Sequence, residues 1–235
     1  MLSGKYGGLA GETAIRKCVR LLLTSYRNQR WGVPFLETVL RPLATPPTVP
    51  KWIIFDFHGV LADFGPFGPW MIQQAASRAD LAAALHQLET GELRITDFLR
   101  CLPADISLPR ASSLRARPEM VAALGSLRAR GFRLALLTNT FRGFAAFRAR
   151  AGLPDDMFDL AVESWRMRLR KPDPAIFTRT LEELGARPGE CLFIDDQLAN
   201  VLAAARLGFR VIHATTAQAT LMLIDSHCRT DEGSL

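Results

Sequence analysis

No apolar run in this chain approaches the ~20 residues that a membrane-spanning helix needs, so no transmembrane segment is predicted. Cysteine is scarce. Cys18, Cys101, Cys191 and Cys228 stand far apart and form no C-x-x-C pair. That spacing argues against a zinc site and fits reduced thiols in a reducing compartment. Internal repeats are absent. Lysine is scarce too: Lys5, Lys17, Lys51 and Lys171 stand against 25 arginines. A lysine inside a motif therefore raises the question of what an ammonium does there. Net positive charge is also scarce over most of the chain. Residues 1–50 hold seven basic and two acidic residues, so they carry +5 of the net +6 and leave +1 for residues 51–235. A nucleic-acid-binding globule carries a basic face on its folded body, so no nucleic-acid partner is expected.

What remains is an ordinary globular composition. The 235 residues are 49% apolar, enough for one sizeable core and an accessory module. Residues 1–50 stand apart as a basic extension. Ile15, Val19, Leu22, Leu23 and Tyr26 recur at helical spacing among basic residues, and Pro42, Pro46, Pro47 and Pro50 make a stiff linker. A basic, acid-poor amphipathic start is the pattern of a mitochondrial or other organelle transit peptide. The plainer expectation is a surface helix on a cytoplasmic protein.

From Lys51 onward, strands and helices alternate. Ile53, Ile54 and Phe55 read as a buried parallel strand that ends in Asp56, just before the turn signal Gly59. Further strands are predicted at Phe132–Thr138, Phe158–Val162, Cys191–Asp195 and Phe209–His213. Helices are predicted from Pro118, over 141–151, from Pro174 with Asp173 as N-cap, over 198–207 and over 216–225. Between the first two strands an Ala- and Leu-rich stretch interrupts the alternation. It is expected to form a small inserted helical cap over 66–116, which leaves 51–65 and 117–235 as an α/β core. The predicted fold is a Rossmann-like parallel sheet with helices on both faces and that cap inserted.

In a parallel sheet all carboxyl ends point one way, so Asp56, Thr138-Asn139, Lys171 and Asp195-Asp196 can converge on one crevice. Three carboxylates there repel one another unless positive charge sits among them. Lys171 supplies one charge, and a hard divalent ion would supply two more. Such a site suits phosphoryl transfer.

The motifs Asp56-Phe-His-Gly-Val60, Leu137-Thr-Asn-Thr140, Lys171-Pro-Asp-Pro174 and Phe193-Ile-Asp-Asp196 resemble, in order and spacing, the four motifs of the haloacid dehalogenase superfamily. Within it the chain is most similar to the phosphatase domain of soluble epoxide hydrolase and to the related domain of some acyl-CoA dehydrogenase proteins. The resemblance implies a Mg²⁺-dependent phosphatase of a small phosphorylated metabolite. Asp56 would be the nucleophile that forms an aspartyl-phosphate. Thr138 and Asn139 would hold the phosphoryl group, and Lys171 would pair with Asp56 and the phosphate. Asp56, Asp196 and the backbone carbonyl of His58 would ligate the metal, with Asp195 supporting it. His58 stands where most relatives carry the Asp that acts as general acid and base. Among three carboxylates its protonated form should be favoured, which would make it a competent acid, whereas bound Mg²⁺ would push the other way; the alternative is that His58 points into the cap and is idle. The alternatives are a weakly active or non-catalytic binding protein, a dehalogenase, and a phosphotransferase. The Arg166–Arg170 loop, with Arg168 in place of a usual Gly, is expected to be a solvated surface.

Overall fold

The structure is a computed structural model, and it describes residues 49–63, 73–74, 77–102 and 114–229. The predicted targeting helix therefore lies outside the described residues, as do Phe64, Phe67 and Trp70 beside the first motif. Five strands form one parallel sheet: β1 (Trp52–Phe55), β4 (Arg133–Thr138), β5 (Leu160–Glu163), β6 (Cys191–Asp195) and β7 (Arg210–His213). Their order is β5-β4-β1-β6-β7, so β1 lies at the centre. The chain winds outward to β5 on one side, then returns to build β6 and β7 on the other. The crevice where the winding reverses opens at the carboxyl ends of β1, β4 and β6, the place where such sheets bind ligands.

Side chains alternate between the two faces with a period of two. Ile53, Phe55, Leu134, Leu136, Leu192 and Ile194 face one layer of helices, with Met120, Leu124 and Leu127 of α3 (Pro118–Ala129) and Ile224 of α8 (Ala217–His227). Trp52, Ile54, Ala135, Leu137 and Phe193 face the other, with Ile176 and Phe177 of α6 (Pro174–Leu184) and Ala203 and Ala204 of α7 (Leu198–Arg206). The predicted helices on both faces are present. Both faces being covered explains why the strands read as near-continuous apolar runs. Each fully buried Ile, Leu or Phe contributes about 1.5–3 kcal/mol relative to leaving it in water.

The cap stretch contains α1 (Ala79–Glu89) and α2 (Ile95–Cys101), broken at Thr90-Gly91, where Gly91 takes φ 76°. Leu81, Leu88 and Phe98 make a small core of their own. The chain enters and leaves this insertion through an antiparallel pair, β2 (Ala62–Asp63) and β3 (Arg115–Ala116). Strands of two residues carry no readable alternation, so nothing in the sequence announced them.

Element ends shift where local chemistry decides. Asp173 caps α6 through the Ala175 N–H at 2.8 Å, as predicted. The helix predicted over 141–151 is shorter: Gly143 at φ 93° delays its start, and α4 spans Phe144–Arg150. The Arg-rich loop contains one helical turn, α5 (Ser164–Met167).

The boundary between the two units of the chain falls after Ala44. A chain beginning at Thr45 is expected to keep the near-ultraviolet circular dichroism and cooperative melting of the full protein. A truncated chain that expresses only as unfolded material would show that residues 1–44 complete the core.

Candidate active site

Asp56 follows β1 directly, and its N–H bonds Ile194 O of the neighbouring strand at 2.8 Å. Its carboxylate therefore starts from a fixed main chain. Lys171 comes to meet it. The ammonium donates to Asp56 Oδ1 at 2.8 Å, to Asp195 Oδ2 at 2.7 Å and to Leu137 O at 2.8 Å. Three partners exhaust the three donors of an ammonium. Lys171 is 1% exposed and Asp195 is fully buried. Burial alone would lower the Lys171 pKa, but Asp195 and Asp56 outweigh it and hold it above the ordinary value. Burial also pushes Asp56 up to about 7 against the pull of Lys171, with repulsion from Asp195 and Asp196 adding to the rise.

Asp195 has its oxygens fully engaged. Oδ1 accepts from the Gln197 N–H at 2.7 Å, Oδ2 accepts from Lys171, and the Asn200 amide reaches both at 3.1 and 3.0 Å. Asp196 is more open, with one oxygen 3.1 Å from the Gln197 amide. Its pKa is raised by burial and by Asp195. Oxygens of Asp56, Asp195 and Asp196 lie within 4.8 Å of one another. Gly59 makes this approach possible. It sits at φ 72°, and a Cβ there would stand 2.3 Å from Asp196 Oδ2. Arg117 braces the same turn, donating to Gly59 O at 2.6 Å and gripping both oxygens of Asp63 at 2.8 Å. No pattern in the sequence pointed to Arg117.

Thr138 lies at the end of β4, fully buried, and its hydroxyl has no hydrogen-bond partner among the described residues. An unsatisfied buried hydroxyl costs about 1–3 kcal/mol, so it marks a place prepared for a ligand atom. The Asn139 side chain is turned to the lysine loop. Its side chain donates to Lys171 O at 2.9 Å and accepts from Lys171 N–H at 2.8 Å. That pairing holds the lysine loop and leaves only the main chain of Asn139 for a phosphoryl group. Ser164 ties the neighbouring loop to the insertion: its hydroxyl accepts from Thr140 N–H at 2.8 Å and donates to Glu89 O at 2.6 Å.

His58 lies in an apolar setting. Its ring stands edge-on to Phe57 and Phe144, with centroids 5.2 and 5.3 Å away. Burial and the nearby Lys171 push its pKa down to about 3, with only Asp63 opposing. The imidazole is therefore neutral near pH 7, not protonated as the three carboxylates suggested. Burial first, and the charge of Lys171 second, reverse the sign. The Arg-rich loop is likewise only partly solvated. Arg168 is exposed and keeps a left-handed backbone at φ 53°, the conformation that the usual Gly adopts easily. Arg170 pairs instead with Glu89 of α1 at 2.8 Å, and Arg166 with the buried Glu163 at 3.0 Å.

The family model for haloacid dehalogenase-like hydrolases matches residues 50–208. The sesquiterpene phosphatase astK of Aspergillus oryzae is 28% identical over 191 residues, covering 73% of this chain and 93% of that protein. Bifunctional epoxide hydrolase 2 of Sus scrofa is 36% identical over 196 residues, covering 68% of this chain but only 35% of that protein. Among solved structures, the enzyme bt-2542 of Bacteroides thetaiotaomicron, in complex with magnesium and inorganic phosphate, superposes with a TM-score of 0.59 at 23% identity. The match covers 73% of this chain and 98% of that one, and it shows a shared fold. No helix among the described residues is long and apolar enough to cross a membrane.

Two outcomes follow from the geometry. Gly59→Ala is expected to destabilise the protein by about 1–3 kcal/mol in chemical denaturation, from the left-handed backbone alone. Unchanged stability would mean that the turn tolerates a side chain. The second concerns Asp56, whose pKa rises from 3.8 to about 7 on folding. The folded state then binds the proton more tightly, so this stabilisation is present at low pH and lost as pH rises from 3.8 to about 7. In chelator, the stability of Asp56→Asn relative to the native chain should climb across that window. A flat difference would mean that Asp56 ionises as freely when folded as in water.

Proposed function

The chain belongs to the haloacid dehalogenase-like hydrolase family, and from that premise we propose that it is a Mg²⁺-dependent phosphatase of a small phosphorylated metabolite, working through an aspartyl-phosphate. The observation that carries the proposal is the enclosure of Lys171 between Asp56 and Asp195, beside the unpartnered Thr138 hydroxyl. Lys171 holds one oxygen of Asp56, which leaves the other to attack. That oxygen bonds to phosphorus as the ester P–O bond breaks, and the alkoxide leaves and takes its proton from solvent water. Water then attacks the aspartyl-phosphate, releases inorganic phosphate and restores the carboxylate. Thr138 would donate to a phosphoryl oxygen in both steps.

The residues fit a divalent cation. Asp56, Asp195 and Asp196 face one ammonium, burial and mutual repulsion raise Asp56, and Gly59 keeps the space beside Asp196 clear. Asp56, Asp196 and the His58 carbonyl would hold Mg²⁺, with Asp195 fixed behind them by Lys171 and Asn200. When bound, the ion would neutralise charge on the phosphoryl oxygens. A dehalogenase would displace halide from carbon and would have no use for Asp196.

The neutral setting of His58 favours a slow enzyme. An imidazole packed between two phenyl rings has no proton to give a leaving alkoxide at neutral pH. General acid–base help is worth about 10²–10⁴-fold. His58→Asp is therefore expected to raise the rate by at least about tenfold. A loss of rate in that variant would assign the proton transfer to the histidine.

The decisive assay runs a panel of phosphorylated metabolites with Mg²⁺ and with chelator. Turnover should require Mg²⁺ and vanish in Asp56→Asn, while melting of that variant stays cooperative. Hydrolysis by Asp56→Asn near the native rate would rule out the covalent route.

A further inference from the structure

We infer that Glu89, at the end of the first helix of the insertion, is a positioning residue for the phosphoryl site, holding the Thr138 loop through Ser164 and the Lys171 loop through Arg170. The inference rests on the phosphatase proposal and adds a residue that touches neither substrate nor reacting atoms. It starts from a carboxylate that the mechanism leaves unused. Glu89 is the last residue of α1, and its side chain is 15% exposed. The oxygen that faces Arg170, and the Arg170 Nε that faces it, are both buried. Taking a charge out of water is costly unless the pair gains something in return. Burial raises the Glu89 pKa, while Arg170 first and Lys171 second pull it back. The charge of Lys171 therefore reaches this carboxylate of the insertion.

Two lines of contact run from Glu89 to the site. Its carboxylate pairs with Arg170 at 2.8 Å. Arg170 precedes Lys171 in the chain, and its carbonyl accepts the Asp173 N–H at 3.0 Å, which closes the turn carrying the lysine. The main-chain carbonyl of Glu89 starts the second line. It accepts the Ser164 hydroxyl at 2.6 Å, and that hydroxyl accepts the Thr140 N–H at 2.8 Å, two residues past Thr138. The Asn139 amide already joins the two loops to each other. Both therefore share one support that lies outside the sheet, in the insertion.

The seat of α1 on this loop is close. Thr90 is buried, and its hydroxyl donates to His86 O at 3.0 Å, so the helix stops where Glu89 meets the loop. Gly91 follows at φ 76°, and a Cβ there would stand 2.6 Å from the Trp165 carbonyl oxygen. Other arginine pairs stay within one element. Arg94 and Arg100 hold Asp97 at the start of α2, and Arg179 holds Glu182 and Glu183 along α6. The Glu89–Arg170 pair instead joins the insertion to the residue before Lys171.

The test compares the full native chain with Glu89→Gln, which keeps the size of the side chain and removes its charge. Hydrogen exchange read by mass spectrometry needs no ligand. Peptides containing Thr140 and Lys171 should exchange at least about threefold faster in the variant, and the β7 peptide should not change. Turnover of 4-nitrophenyl phosphate with Mg²⁺ gives the second reading. There kcat should fall about ten- to a hundredfold while KM stays within about twofold. Arg170→Gln should match both readings, and it replaces Glu89→Gln should that variant fail to fold. The double variant should lose no more than either single one. Arg179→Gln, which breaks pairs along α6, should behave as the native chain. Faster exchange confined to α1 and α2, an unchanged kcat, or losses that multiply in the double variant would overturn the inference. Faster exchange at Thr140 and Lys171 in a chain that turns over neither 4-nitrophenyl phosphate nor the metabolite panel would remove the phosphatase and keep the support. Native exchange at those peptides would remove the support whatever the turnover.

Discussion

One enclosed ammonium holds the catalytic end of this sheet together. Lys171 is bonded to β4 through Leu137 O, to the end of β1 through Asp56 and to β6 through Asp195. Removing one partner of a buried ion pair leaves an uncompensated charge and costs about 3–5 kcal/mol. The lysine is therefore a structural clamp before it is anything else. Arginine, common in the rest of the chain, is too broad a fork to place one nitrogen among three oxygens in so small a space. The loop carrying Lys171 is itself fixed by the Asn139 amide, which bonds both the N–H and the carbonyl of that residue.

The clamp is deliberately incomplete in charge. One cation faces three carboxylates, and burial, with repulsion from Asp195 and Asp196 adding to it, raises Asp56 to about 7. Folding into this arrangement sets up repulsion that a divalent ion would relieve. The same logic explains Gly59 and Arg117. The glycine lets Asp196 come close enough to join the cluster, and the arginine keeps the glycine turn from relaxing away.

Much of this was legible in the chain because a parallel sheet places every strand's carboxyl end on one side. Asp56, Thr138, Lys171, Asp195 and Asp196 could be gathered from strand ends alone. What could not be gathered was who faces whom. Asn139 stands at a strand end like its neighbour, yet its amide turns to the lysine backbone, a choice made by a loop over thirty residues away. The charge of His58 depends on Phe144, which arrives from a helix far along the sequence. Arg168 breaks the expected glycine pattern, but the backbone keeps the left-handed turn, so the departure is one of side chain only. The two-residue strands and the Ser164 tie to Glu89 are too short or too local to leave a periodic trace.

The central claim is that the clamped Asp56 attacks phosphorus. It is tested most directly by acid-quenching the full chain during turnover of a radiolabelled phosphate monoester and mapping the label by peptide mass spectrometry. The account predicts a transient, hydroxylamine-sensitive label on the peptide that contains Asp56. Steady turnover with no labelled protein, or label on another peptide, would contradict it.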